Sequence, residues 1–140
     1  MSKADDSVKA KVLESLSENE FACYIGLEFL ELEDKYIRAR IPFRDKILNP
    51  YGSAHGGVLY ALADITAGTL ACFSGKFVVT VDGHMNYLSS AEDTDYIYCE
   101  AKTVKSGKTL IVIKIKIKND KGKLLDDGSF TFFKTDREMS

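Results

Sequence analysis

Tryptophan is absent from this 140-residue chain, and proline and histidine occur only twice each. Its three cysteines, Cys23, Cys72 and Cys99, lie far apart and form no Cys-x-x-Cys pair. With so few soft ligands a structural zinc site is excluded, and no metal is expected. An odd number of cysteines also argues against a secreted disulfide framework, so the thiols are expected to be reduced and buried in a cytoplasmic protein. Charge of one sign is missing as well. Lys and Arg total 19 against 21 Asp and Glu, a net charge of −2, whereas a nucleic-acid partner calls for a basic excess. The first residues hold no apolar core of a secretory leader. What the chain does have is 45% hydrophobic residues, eight Phe and seven Tyr, which exclude a disordered chain. The length suits one domain over residues 1–140.

One stretch resembles a membrane span. Residues 56–75 carry a single charge, Asp64, and would extend about 30 Å as a helix. A carboxylate at the midpoint, glycines and threonines in the second half and no basic anchor near the start argue for a helix buried by protein. No membrane partner is therefore expected. This central helix is predicted over about residues 56–73, after the turn-rich loop Asn49-Pro50-Tyr51-Gly52-Ser53.

Ahead of it, residues 7–20 read as an amphipathic helix with Ser7 as N-cap and Val8, Val12, Leu13, Leu16 and Phe21 at helical spacing. Residues 26–33 and 35–43 read as two strands, the second closed by Pro42 near an edge. In the second half, Phe77, Val79, Val81, Met85 and Tyr87 alternate with Val78, Thr80, Asp82, His84 and Asn86. Ile97, Cys99 and Ala101 mark another strand. Ile111, Ile113, Ile115 and Ile117 alternate with Lys114, Lys116 and Lys118, and a turn at Asn119–Gly122 leads to a last strand ending at Phe133. These four strands are expected in antiparallel hairpin succession. Helices segregated from strands give an α+β class, with the sheet curved around the apolar helix.

The chemistry concentrates at Asn49 to Asp64. Adjacent glycines at a helix start, Gly56 and Gly57, leave backbone N–H groups uncovered beside the positive end of the helix dipole. That arrangement suits a carbonyl oxygen gaining negative charge. Asp64 has Gly57, Ala61, Ala67 and Gly68 among its helical neighbours, so small residues clear an approach to its carboxylate. Eight residues of helix rise about 12 Å between Gly56 and Asp64, whereas a reacting carbon must lie ~3 Å from both nucleophile and oxyanion donor. The spacing therefore predicts that the two groups meet across a two-fold dimer. Gly107-Lys108-Thr109 mimics the end of a phosphate-binding loop but lacks the upstream glycine, where Lys102 stands.

The run Asn49-Pro50-x-Gly52-x-x-His55-Gly56-Gly57, continued by Leu62 and Asp64, Thr80-Val81-Asp82 and Asn86-Tyr87-Leu88, resembles the PaaI-like branch of the hotdog-fold acyl-CoA thioesterases. Lys105-Ser106-Gly107-Lys108-Thr109-Leu110 resembles a hairpin of the same proteins. The resemblance implies a hotdog fold, a homodimer that often pairs into a tetramer, and hydrolysis of an acyl-CoA without a cofactor. It implies that Gly56 donates to the thioester carbonyl and that Asp64 of the partner chain is nucleophile or general base. Asn49 would position water or carbonyl, Thr80 would hold the lytic water, and His55 would orient the loop. Gly57 would allow close packing at the helix start, and Lys105 and Lys108 could meet the phosphates of coenzyme A. Relatives usually carry a proline where Ser90 precedes Ala91, and often an Asn at His84, here read as a surface or interface imidazole. Two other functions compete: a hotdog dehydratase or hydratase of 3-hydroxyacyl thioesters, and a non-catalytic acyl-CoA sensor. Phe21, Tyr24, Phe73 and Tyr87 are candidate lining for an acyl pocket.

Overall fold

A computed structural model describes residues 6–139. Two short helices, α1 (Asp6–Ser17) and α2 (Glu20–Ile25), lead into strands β1 (Glu28–Glu33) and β2 (Tyr36–Pro42). After a 3-10 turn, helix α3 (Gly56–Cys72) is followed by β3 (Lys76–Tyr87), β4 (Tyr96–Ser106), β5 (Leu110–Lys118) and β6 (Leu124–Glu138). The six strands form one antiparallel sheet in the order β1-β2-β4-β5-β6-β3.

The expected single leading helix is two. Asn19 interrupts it and caps α2, its side-chain oxygen accepting a hydrogen bond from the Ala22 N–H at 3.0 Å. Ser7 lies within α1, so the cap position precedes it and falls outside the described residues. Phe21 consequently leaves the buried face and is exposed, and Val12 is the one fully buried residue of α1. Cys23, expected inside, is exposed too, on α2.

The core lies between α3 and the concave face of the sheet. Ile37, Ala39 and Ile41 of β2 stand opposite Ala101, Cys99 and Ile97 of β4, and all six are buried. The next row adds Ile111, Ile113, Ile115 and Ile117, as the alternation with lysine predicts, then Phe130 and Phe132. Each fully buried Ile or Phe stabilises by roughly 1.5–3 kcal/mol. This apolar floor explains why α3 can be apolar on most sides and end at Cys72, one residue from its expected limit.

Strand β3 departs from the hairpin succession. It pairs with β6, Lys76 opposite Glu138 and Tyr87 opposite Asp126, and not with β4. It therefore forms one edge of the sheet. A bulge between Thr80 and Asp82 leaves Val81 extra and reverses the alternation there. Val79 and Val81, read as inward from the sequence, are about half exposed, at 52% and 56%.

Candidate active site

The loop before α3 is closed by its own backbone. Asn49 Oδ1 accepts hydrogen bonds from the N–H groups of Tyr51 (2.9 Å) and Ser53 (3.1 Å), and its backbone N–H donates to Ser53 O at 2.7 Å. Gly52 takes the left-handed conformation that this turn needs, with φ of 83°. The Ser53 hydroxyl donates to Glu92 Oε1 at 2.8 Å, and the Ala54 N–H to Ala91 O at 3.1 Å. Asn49 thus uses its oxygen to shape the loop, and its Nδ2 amide is the group it can offer a ligand.

A helix start leaves four N–H groups without intrahelical partners. At α3 three are engaged. The His55 N–H donates to Ile47 O at 2.8 Å, the Gly57 N–H to His55 Nδ1 at 2.9 Å, and the Val58 N–H to His55 O at 3.0 Å. The Gly56 N–H has no partner among the described residues. His55 is therefore the N-cap, and its Nδ1 is occupied as an acceptor, which puts a neutral ring's proton on Nε2. A Cβ on Gly57 would lie 3.1 Å from the His55 ring, so glycine is what allows the ring to fold over the helix start. The Tyr87 hydroxyl donates to Gly56 O at 2.8 Å and holds the same turn from β3.

Asp64 lies two turns further along α3, half-buried. The Thr80 hydroxyl donates to its Oδ1 at 2.9 Å, and both residues line one cavity. That cavity, of about 260 Å³, is mainly apolar, walled by Val12 and Leu16 of α1, Ile65 and Gly68 of α3, Phe77 and Val78 of β3, and Phe132. Gly56 and Asn49 line a different cavity, of about 280 Å³, with Ser53, Leu59, Tyr87, Ser89, Ser90 and Asp126. The two share no lining residue. One protomer thus brings Asp64 to Thr80, and Asn49 to Gly56, but keeps the pairs apart.

Lys105 and Lys108 stand exposed at the β4–β5 hairpin and line neither cavity. Of the aromatic candidates, Tyr87 lines the Gly56 cavity, Phe73 is buried at the end of α3, and Phe21 and Tyr24 are exposed on α2. His84 faces the outer side of β3, its Nε2 3.1 Å from Asn86 Oδ1. The thiols of Cys72 and Cys99 are unsuited to nucleophilic work: burial pushes Cys72 up, and Cys99 up to about 12.

Asp126 went unnoticed in the sequence. It is fully buried, neither oxygen has a hydrogen-bond partner among the described residues, and burial, with the Asp127 charge beside it, pushes its carboxyl up to about 7. The signal was its parity, since Asp126 shares the strand face of Phe130 and Phe132.

No helix among the described residues is long and apolar enough to cross a membrane. Residues 51–125, more than half of the chain, match the family model described as the thioesterase superfamily. The chain is 29% identical over 104 residues to the 1,4-dihydroxy-2-naphthoyl-CoA hydrolase of Listeria monocytogenes, covering 72% of this chain and 84% of that protein. A Streptococcus mutans protein whose crystal structure holds acetyl-CoA is 28% identical, with a TM-score of 0.76 over 80% of this chain and 90% of its own. The PaaI protein of Escherichia coli, from the phenylacetic acid degradation operon, shares the fold at 18% identity. Its TM-score is 0.86, over 94% of this chain and 98% of its own. The chain belongs to the thioesterase superfamily, as a hotdog-fold thioester hydrolase.

Proposed function

We propose that this protein hydrolyses an acyl- or aryl-CoA thioester to the free acid and coenzyme A, at a site shared between two copies of the chain. The Gly56 N–H receives the thioester oxygen as it gains charge, with the α3 dipole behind it. Asp64 of the partner subunit, held by its own Thr80, is the nucleophile or the general base on water. Asn49 offers its amide to the carbonyl or the water, and His55 and Gly57 keep the helix start in place. Lys105 and Lys108 are the cations offered to the phosphates of coenzyme A.

The observation that carries this reading is the division of the machinery between two cavities along one edge strand. β3 runs 12 residues at the sheet edge, with Tyr87 at the Gly56 cavity and Thr80 at the Asp64 cavity. Long apolar edges are normally covered. The other edge, β1, is protected by Glu28, Glu31 and Glu33 and by a bulge, whereas β3 exposes Val79 and Val81. Antiparallel pairing of β3 with its copy would set Tyr87 opposite the partner's Thr80 when the two-fold passes close to His84. Each Gly56 donor then faces the partner's carboxylate, twice per dimer.

Release of free thiol from a panel of acyl-CoAs tests the activity, with Asp64→Asn as the inactive control. Mixing Asp64→Asn chains with Gly56→Val chains tests the sharing. Random pairing makes half the dimers mixed, each with one intact site, so about a quarter of wild-type activity returns. No recovery above the separate variants overturns the shared site, and ligand binding without turnover by the wild type overturns the hydrolase in favour of a sensor.

A further inference from the structure

The wall of the Gly56 cavity includes a buried carboxyl group, Asp126, that the hydrolysis described above does not use. Asp126 stands opposite Tyr87 on β3 and Ile117 on β5, and directly opposed residues project to the same face of a sheet. Its carboxyl group is therefore on the helix side, in the layer of Ile115, Ile117 and Phe130, where an apolar residue would be expected. It is 0% exposed, has no hydrogen-bond partner among the described residues, and still forms part of the wall that Gly56 and Asn49 line.

The groups around it are already committed. Tyr87 gives its hydroxyl to Gly56 O, with Tyr60 of α3 nearby, and Thr66 of α3 gives its hydroxyl to Leu62 O at 2.7 Å. Asp127 lies on the opposite face and accepts from Asn86 Nδ2 at 2.9 Å. No ion pair among the described residues includes Asp126. A buried acceptor without a partner is costly in a folded protein. Kept in the wall of a ligand cavity, it identifies what the ligand must bring.

We propose, on the basis of the hydrolase reading above, that Asp126 is a specificity-determining residue whose carboxyl group accepts a hydrogen bond from an O–H or N–H group carried within a few bonds of the thioester carbonyl. Two parts of an acyl-CoA supply such a donor: a hydroxyl on the acyl group, or the first amide N–H of the pantetheine arm. Because the carboxyl is held near neutrality by burial and by Asp127, it can also return a hydrogen bond to a hydroxyl at pH 7.

Two matched substrate pairs separate these sources. 3-Hydroxybutyryl-CoA against butyryl-CoA tests the acyl hydroxyl. The butyryl thioester of N-acetylcysteamine, against its analogue with a methylene in place of N–H, tests the amide. kcat/KM is measured for wild type, Asp126→Asn and Asp126→Val. Wild type is expected to favour the donor-bearing member of one pair by ~10-fold or more, because a buried acceptor left unpaired rejects the analogue lacking the donor. Asp126→Val should bring that ratio to near unity. Asp126→Asn, which keeps an acceptor oxygen, should retain part of it. The pair that responds names the source. Ratios unchanged by Asp126→Val in both pairs overturn the proposal while leaving the hydrolase standing. If the wild type hydrolyses none of the four, four-carbon acyl chains are not its substrates and the hydrolase reading rests on the wider panel. The same ratios are then read as dissociation constants by calorimetry on Asp64→Asn protein, where equal affinities within both pairs overturn the proposal. Circular dichroism identifies a variant that fails to fold, in which case the Asn variant decides.

Discussion

Asp126 should make the protein lose stability as the pH rises through neutrality. Its carboxyl has an ordinary value of 3.8 in the unfolded chain and about 7 in the folded one. Between these values the folded protein holds a proton that the unfolded chain releases. Unfolding therefore gives up a proton, and stability falls with rising pH until the folded carboxyl has ionised. At ~1.36 kcal/mol per unit, the three-unit difference comes to about 4 kcal/mol, of which about 2 kcal/mol falls between pH 5 and pH 7. Among its neighbours, Tyr87 is raised from 10 and Cys99 up to about 12, so neither changes charge in that window. Asp126→Asn removes the titration with little change of volume. The measurement is urea unfolding of wild type and Asp126→Asn at pH 5, 6, 7 and 8, at one protomer concentration. The Asn variant should gain on the wild type by about 2 kcal/mol from pH 5 to pH 7, with little further change above pH 8. Parallel curves would refute the reasoning, since they require Asp126 to ionise alike in both states.

The helix start gives a second expectation. In Gly57→Ala the added Cβ meets the His55 ring at 3.1 Å, so the cap is displaced, at a cost of about 1 kcal/mol by thermal unfolding, with a fall in kcat. Gly83→Ala should be worse, because its Cβ overlaps the Tyr60 hydroxyl and comes within 2.8 Å of the Phe130 ring. Overpacking there should cost roughly 1–3 kcal/mol, and Tyr60→Phe should relieve part of it in the double variant. At Asp64, the Asn substitution should lower kcat by about 10² to 10⁴ with the fold intact, and Thr80→Val should cost less because the carboxylate itself remains. Equal loss in the two variants would place the chemistry elsewhere than on Asp64.

Much of the fold was legible because its signals are local. The isoleucine–lysine alternation of residues 111–118 defines β5 without tertiary information, and the apolar run after Gly56 defines α3 to within one residue of its end. The leading helix failed at Asn19, where a capping side chain outweighs the helical periodicity on either side. The partner of β3 was illegible for another reason. Lys76 finds Glu138 across 62 residues, a pairing set by how the sheet closes around α3 and by no local pattern. Asp126 was readable in principle, but an acidic pair between Leu125 and Gly128 resembles a turn until its register with Tyr87 and Ile117 is known.

The bulge at Val81 explains why alternation misassigned β3 and also how one strand reaches both the Asp64 cavity and the Gly56 cavity. With strict alternation, Thr80 and Tyr87 lie on opposite faces, since an odd number of steps separates them. Thr80 could then reach Asp64 only if Tyr87 turned away from Gly56, or the reverse. The extra residue restores a common face. Thr80 stands opposite Phe132 and Tyr87 opposite Asp126, both on the helix side, while Val79 stands opposite Phe133 and Asp82 opposite Thr131 on the outer side. The same insertion that aims both hydroxyls at α3, one at the carboxylate and one at the donor turn, also sets apolar Val79 and Val81 outside the core. The placing of the two hydroxyls and the apolar outer side of this edge therefore have a common cause in the β3 backbone.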